Sequence, residues 1–283
     1  MKRVLLLNPP AEKLYIRDYY CSFSSKAGYY WPPQDLLVLS GILSQYYDVR
    51  VLDCIASGTG IKRGTSIILS YDIDIVIFTT GTTSLKEDLE FARKIKEKKN
   101  VIIIASSAIF RFIGYEVMKE NSFLDAVITD FVDHDIINYI ENDFNNINSI
   151  ICRKNGAIFN NNIKSLYSNA FYIPIPRHDL FEFRKYRLPT CKRLPFTVTI
   201  TSKGCPFSCR FCTAGAVGHR LRDLSNIIEE MLLIKNLGVN ELLFLDPSLT
   251  ANKGHILELC KRIIEENIDI IWSCNANVIS VLE

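Results

Sequence analysis

Two α/β units in series, the first a doubly wound parallel sheet and the second a shorter run of βα units, are what this 283-residue sequence predicts. Three observations carry that expectation. Short β-branched runs alternate with longer amphipathic stretches through residues 1–141, an Asn- and Pro-rich interval comes next over 142–195, and the alternation resumes over 196–283. The length is that of about two domains.

Five strands are predicted in the first part, over residues 4–7, 49–54, 74–80, 101–106 and 126–129. Most are nearly continuous in Val, Ile and Leu, as strands covered on both faces must be. Between the third and fourth, Leu85, Leu89, Ala92 and Ile95 recur at helical spacing with Lys and Glu between them, which lays one helix face on the sheet. In the middle interval, residues 150–152 and 157–159 flank Lys154-Asn155-Gly156, and the Asn-Gly pair predicts a hairpin within a linker. Pro174, Pro176, Pro189 and Pro195 punctuate the next stretch, so residues 160–194 are expected to be an extended connection. The last part reads as strands over 196–201, 241–245 and 270–273 with helices over 224–237 and 255–266. Three parallel strands cannot close a barrel, and the last would present an unpaired apolar edge. The expectation is a fragment of a longer protein, or one that another chain completes.

The composition is that of a globular protein, 48% apolar and 23% charged. Its 33 basic and 31 acidic residues leave +2, which supports no polyanion-binding field and gives no sign of a nucleic-acid partner. Apolar runs such as 73–78 and 101–105 fall far short of the roughly 18 residues of a membrane helix. Met1-Lys2-Arg3 is followed by too few apolar residues for a signal peptide, so a cytoplasmic location is expected. There the nine cysteines stay reduced, and their odd number points to metal binding or buried thiols rather than a disulfide framework.

Gly204-Cys205-Pro206-Phe207-Ser208-Cys209-Arg210-Phe211-Cys212 is the sharpest feature. It places three thiolates, at C-x3-C-x2-C spacing, on a loop directly after a predicted strand, where parallel sheets put their chemistry. Three thiolates can hold three irons of a 4Fe-4S cluster and leave the fourth open to an outside ligand. Two other readings stand beside this one. The cysteines are simple packing residues, or His219 completes a Cys3His zinc site with them. Arg220 and Arg222 after the loop either pair with a carboxylate or phosphate or are solvated. Asp246 either faces the site or caps a turn before Pro247.

At these residues the sequence resembles the radical S-adenosylmethionine (SAM) superfamily, whose motif C-x3-C-x-aromatic-C is matched by Cys205, Cys209, Phe211 and Cys212. The resemblance implies that Cys205, Cys209 and Cys212 ligate a 4Fe-4S cluster, that SAM chelates the open iron, and that Phe211 lies by the adenine. It also implies an electron donor such as flavodoxin or ferredoxin. Residues 199–206 resemble the family's first strand and loop, with Lys203 where Arg is more usual, residues 241–246 resemble its second strand, and Trp272 sits in what looks like the third. The implied fold of residues 196–283 is the first three units of a TIM-type (β/α) radical SAM barrel, and further SAM contacts are expected from strands beyond Glu283.

Residues 1–141, with a Rossmann-like, flavodoxin-like pattern, resemble the cobalamin-binding domain of cobalamin-dependent radical SAM enzymes. The likeness rests on Asn8-Pro9-Pro10, Trp31-Pro32-Pro33, Asp53 closing the second strand, and the hydroxyl-rich stretch from Thr79 to Ser84. It implies a cobalamin crevice at the carboxyl ends of the strands, bordered by Asp53, Gly58, Thr79, Thr80, Thr82, Thr83 and Ser84. Departures are visible. Asp53-Cys54-Ile55-Ala56-Ser57-Gly58 puts Ile55 where a cobalt-binding His stands in D-x-H-x-x-G. Ala105-Ser106-Ser107-Ala108 replaces the usual Gly-Gly pair, and Thr129-Asp130-Phe131-Val132-Asp133 replaces Gly-Glu-Gly-Glu. Those side chains occupy space that glycine leaves open. His134 and His178 read as structural or exposed, and the remaining six cysteines as packing residues.

The function this implies is a radical SAM enzyme acting on a small-molecule substrate, with cobalamin-dependent methyl transfer to an unactivated carbon foremost. Oxidation or ring closure without methylation is the alternative within the class, and a non-catalytic protein with a structural zinc site the alternative outside it.

Overall fold

The computed structural model describes residues 1–160 and 170–282, so the part of the interval over 161–169 lies outside the described residues. In chain order the first elements are β1 (Arg3–Asn8), β2 (Tyr15–Ile16), β3 (Phe23–Ser24), α1 (Gln34–Ser44), β4 (Asp48–Asp53), α2 (Ile61–Ser70) and β5 (Ile75–Thr79). Then come α3 (Leu85–Lys98), β6 (Ile102–Ser106), α4 (Phe110–Glu120), β7 (Ala126–Ile128), α5 (Asp135–Ile140), β8 (Ile150–Lys154) and β9 (Ala157–Asn160).

These build one seven-stranded sheet in the order β4-β1-β5-β6-β7-β8-β9. The first five strands are parallel and each predicted strand is among them, with ends shifted by one or two residues. The order places the second strand of the wind beside the first and the third on its other side. The direction of winding therefore reverses between β1 and β5, the arrangement of doubly wound flavodoxin-like sheets. Side chains alternate between the two faces, as strand geometry requires. Leu6, Ile77 and Ile104 pack with α1 and α5, whereas Leu5, Leu7, Phe78 and Ile103 pack with α2, α3 and α4. Fully burying one such side chain contributes on the order of 1.5–3 kcal/mol.

The hairpin forms where the Asn-Gly pair predicts it, with Asn155 and Gly156 both at positive φ. It does not belong to a free linker. Strand β8 pairs antiparallel with β7, Ile151 opposite Val127, so the hairpin extends the sheet beyond residue 141. Its alternation explains this: Ile150 and Cys152 join one core face and Ile151 the other.

The second part contains β10 (Phe196–Thr199), β11 (Ser202–Lys203), β12 (Arg220–Leu221), α6 (Leu224–Asn236), β13 (Glu241–Phe244), α7 (Lys253–Glu265), β14 (Ile271–Cys274) and α8 (Val278–Leu282). Strands β10, β13 and β14 form a parallel three-stranded sheet in that order. Helices α6 and α7 cover one face through Ile227, Met231, Ile234, Leu259 and Ile263 against Leu242 and Phe244. The other face joins the first part: Val198, Ile200 and Leu245 share a core with Leu36, Leu39 and Ile42 of α1. Helix α1 is buried from Gln34 to Leu43, which is why its sequence is apolar nearly all round. Among the described residues of the connection a 3-10 turn forms at His178–Leu180, and Ile173, Phe181 and Tyr186 pack into the same core. Among the described residues no helix is long and apolar enough to cross a membrane.

Candidate functional site

The cysteine loop begins where β10 ends, and its two ends are tied together by β11 and β12, with Lys203 opposite Arg220. Gly204 opens the loop at φ +72°, and a Cβ there would fall 1.5 Å from the carbonyl oxygen of Gly218, so only glycine lets the two sides close. Cys205 N–H donates to the Ala214 carbonyl at 3.2 Å, and Cys212 N–H to that of Cys209 at 3.1 Å. Cys205 is half-buried, while Cys209 and Cys212 are exposed. Burial pushes the Cys205 thiol up, and the neighbouring Cys212 and Cys209 push it further. Phe211 is 93% exposed.

Buried charges position this loop from both parts of the chain. The Asp246 carboxylate, at the end of β13, accepts from the backbone N–H groups of Thr201 and Ser202 and from both hydroxyls, the Ser202 hydroxyl at 2.6 Å. Asp246 therefore caps the end of β10 rather than a turn of its own. The Lys203 ammonium meets the Asp130 carboxylate just beyond β7, and Arg220 reaches Asp130 at 3.1 Å and Asp133 at 3.3 Å. Tyr20, in the loop after β2, accepts the Gly204 N–H on its hydroxyl at 2.8 Å, and its carbonyl accepts the Thr213 hydroxyl at 3.1 Å. The carboxyl edge of the large sheet and the carboxyl end of β10 thus converge on the three cysteines.

Arg222, read as pairing or solvated, is fully buried and bonds Glu230 and, at 2.8 Å, Asn226. Glu230 in turn holds His178 at 2.7 Å, which makes His178 a core residue. His219 lies beside His255, with burial and that second imidazole lowering its pKa, and both line a cavity of about 480 Å³ with Arg262. Among the described residues no three His, Cys, Asp or Glu side chains converge on one point that could hold a single ion. A tetrahedral zinc site needs such convergence. An iron-sulfur cluster takes each thiolate on a separate iron, and three free thiols on one tightly necked, accessible loop fit that donor requirement.

The residues expected to border a cobalamin crevice do lie at the carboxyl ends of β4 and β5, yet most already bond to other residues of the chain. Asp53 accepts from Asn8 at 2.9 Å, from the backbone of Ile55 and Ala56, and from the Tyr186 hydroxyl at 2.8 Å. Thr80 and Ser84 each donate at 2.7 Å to Asp88, which forms a fully buried pair with Arg17. Thr79 bonds Asp35, whose pKa burial raises to about 6. Thr82 and Thr83 are exposed and bond Ser22, which lies against Gly81. Gly58 turns the chain at φ +64° with open space around it. As placed, these residues do not offer a free donor set to cobalamin. The sequence reading missed Arg17, Asp88 and Tyr186, which bond the expected crevice residues or each other, and Tyr20, which bonds the cysteine loop; none of the four carries a motif.

No family model matches the chain. An uncharacterized methyltransferase of Pyrococcus horikoshii is 28% identical over 286 residues, covering 98% of this chain and 60% of the relative. An anaerobic magnesium-protoporphyrin IX monomethyl ester cyclase of Rubrivivax gelatinosus is 23% identical over 287 residues, covering 95% of this chain and 51% of the relative. The chain therefore spans between half and three-fifths of these relatives' length. Among solved structures, the radical SAM methyltransferase TsrM of Kitasatospora setae, with cobalamin and a 4Fe-4S cluster bound, matches with a TM-score of 0.64 at 15% identity, over 94% of this chain and 53% of that one. The cobalamin-dependent SAM radical enzyme OxsB, with aqua-cobalamin bound, matches at 0.70 and 16% identity, over 96% and 38%. The resemblance read from the sequence is borne out: the fold is one shared with cobalamin-dependent radical SAM enzymes.

Proposed function

We propose that the chain carries the cofactor-binding portion of a radical SAM enzyme, with Cys205, Cys209 and Cys212 holding a 4Fe-4S cluster and methyl transfer to an unactivated carbon of a small molecule as the reaction. The observation that carries this reading is the three-cysteine loop, closed at its neck by Gly204 and Gly218 and fixed to the end of β10 by Asp246. When bound, such a cluster with SAM on its open iron supplies reductive cleavage of SAM to methionine and a 5'-deoxyadenosyl radical. The chain's own residues prepare that site. Asp246 holds the end of β10, Lys203 and Arg220 fix the loop's neck to Asp130, and the loop keeps Cys209, Phe211 and Cys212 accessible. The large sheet, made by residues 1–141 together with the β8–β9 hairpin, acts as the cobalamin-binding-type domain, and residues 196–283 act as the opening units of the radical SAM barrel.

Methyl transfer is supported by the names of the Pyrococcus relative and of TsrM. The magnesium-protoporphyrin cyclases favour a second reading, ring formation by the same radical without methylation. Cobalamin is part of this reading because the similar solved structures TsrM and OxsB hold it. The nine free thiols suit a reducing cytoplasm, and a flavodoxin- or ferredoxin-type donor is the proposed electron source.

Anaerobic reconstitution with iron and sulfide tests the reading, together with electron paramagnetic resonance of the reduced protein with and without SAM. A 4Fe-4S signal that SAM perturbs and that Cys209→Ala abolishes is the expected result. Bound zinc without sulfide overturns it. Titration with hydroxocobalamin, monitored by its visible spectrum, tests the cobalamin assignment separately.

A further inference from the structure

A cavity of about 480 Å³ opens at the neck of the cysteine loop and takes no part in the site described above. His219 lines it, directly after Gly218, whose carbonyl closes the neck against Gly204. His255 and Arg262 line it from α7, seven residues apart and so on one face of that helix. Helical side chains lean toward the helix N-terminus, which carries the long Arg262 side chain back toward His255. Its guanidinium is set there by Glu258, which accepts from Nε at 3.2 Å, and by the Ser225 hydroxyl, which accepts from Nη1 at 3.1 Å. The third nitrogen of the fork, Nη2, has no such partner among the described residues.

The other charged groups of the wall are already engaged. Arg220 is committed to Asp130 and Asp133, and Arg222 to Glu230. Asp223 caps α6 by accepting the Asn226 N–H at 3.1 Å, and Glu258 is taken by Arg262. The buried Nε2 of His255 makes no hydrogen bond among the described residues, an unmet demand that an oxyanion can satisfy.

We propose that this cavity binds a phosphate group, with His219, His255 and Arg262 as its donors. The inference goes beyond the cluster reading and stands without it. Two imidazoles with no third ligand beside them do not make a metal site among the described residues, whereas two imidazoles and a guanidinium suit an oxyanion. A phosphate group brings three terminal oxygens, one for each donor, and nearly two negative charges at neutral pH; a carboxylate brings two oxygens and one charge. The charge matters here. Burial and the His255 imidazole disfavour protonated His219, and a dianion beside both rings offsets the repulsion between them. The cavity is also far larger than one ion and lies within the roughly 300–1,000 Å³ of small-molecule pockets. A phosphate ester therefore fits, with its organic part along Ala170, Leu221 and Leu224. Free phosphate is the other source of the same chemistry.

Calorimetric titration of the full chain in phosphate-free buffer separates these cases, with inorganic phosphate, glucose 6-phosphate, glucuronate and glucose as probes. One equivalent of inorganic phosphate or of glucose 6-phosphate should bind. Tighter binding of the ester identifies an organic phosphate as the occupant, and tighter binding of the free ion identifies inorganic phosphate. Arg262→Gln and His219→Gln should each weaken that binding by about tenfold or more, the effect of one lost charge-assisted hydrogen bond, with the urea midpoint of each variant checking that it folds. Proton NMR gives a reading in the parent protein: phosphate should shift two imidazole signals, those lost in His219→Gln and in His255→Gln, and leave that of the core residue His178 in place. Glucuronate binding as tightly as glucose 6-phosphate overturns the phosphate assignment. Absence of binding by either phosphate overturns the site, and so does binding that leaves both imidazole signals unmoved, since the anion then sits elsewhere. Iron and sulfide content is measured separately, so none of these outcomes bears on the cluster assignment.

Discussion

The Tyr20 hydroxyl accepts the backbone N–H of Gly204 at 2.8 Å, joining the loop after β2 in the first part of the chain to the first residue of the cysteine loop in the second. The residues are 184 positions apart, and the bond is made by a side chain that burial keeps protonated. Tyr20→Phe keeps the ring and removes only the acceptor. A net loss of about 1 kcal/mol is expected, the usual value of one hydrogen bond with some cost for the stranded donor. Urea denaturation measures it, and iron content after reconstitution should fall in the same variant, because the loop's first turn loses its anchor. Unchanged stability and iron content would show that the contact is incidental.

Asp130 should matter more than its surface-like sequence context suggests. Its carboxylate meets the buried Lys203 and also Arg220. Removing one partner of a buried pair costs at most about 3–5 kcal/mol, an upper bound here because burial and the nearby Arg220 already hold the Lys203 pKa well below its ordinary value and let a stranded amine give up its proton. Asp130→Asn is expected to lower stability by no more than that. Replacing the pair together, Lys203→Met with Asp130→Leu, should recover much of the loss, because neither charge is then stranded. Chemical denaturation of the two single variants and the double variant gives the coupling directly.

Most of the fold was readable in the sequence, and the site only in part, for one physical reason. Strands such as β5 and β6 announce themselves because local composition decides them: a strand covered on both faces has to be apolar throughout. The cysteine loop announces itself because its three thiols lie within eight residues of one another, next to a glycine and a proline. Asp53 and the hydroxyls of Thr79, Thr80 and Ser84 were equally visible, but their roles depend on partners elsewhere in the chain. Tyr186 reaches Asp53 across 133 residues, and Arg17 reaches Asp88 across 71. The hairpin at Asn155-Gly156 was legible as a hairpin, whereas its pairing with β7 is a contact that no turn signal encodes.

Acid sensitivity should originate at Glu230. Burial pushes its carboxyl up, but Arg222 and the hydrogen bond to His178 outweigh burial and hold the group down at about 2, against an ordinary value of 4.5. A carboxyl depressed in the folded state contributes stability that is fully present above the ordinary value and is lost as pH falls through the folded one, here between about 4.5 and 2. The shift corresponds to about 3 kcal/mol, an order-of-magnitude figure for a buried group. Glu230→Gln is expected to be less stable at neutral pH, because Arg222 loses its partner, and to show a shallower decline of the urea midpoint between pH 5 and 3. Parallel declines in both proteins would place the acid sensitivity elsewhere.

Two glycines at positive φ separate the cost of a backbone conformation from the cost of a closed neck. Gly58 turns at +64° and Gly204 at +72°, so alanine at either incurs the left-handed penalty of roughly 1–2 kcal/mol. Their surroundings differ. Nothing lies within 4 Å of a Cβ at Gly58, whereas at Gly204 the Gly218 carbonyl oxygen would be 1.5 Å away. Gly58→Ala should therefore lower stability by the conformational cost and leave the cysteine loop intact. Gly204→Ala must push β11 and β12 apart, which removes the pairing of Lys203 with Arg220 and splays Cys205 from Cys212. Limited proteolysis between residues 204 and 219 should accelerate in Gly204→Ala alone, and its iron content after reconstitution should fall below that of Gly58→Ala. Equal behaviour of the two variants would mean that the loop reaches its cluster-binding shape without a closed neck.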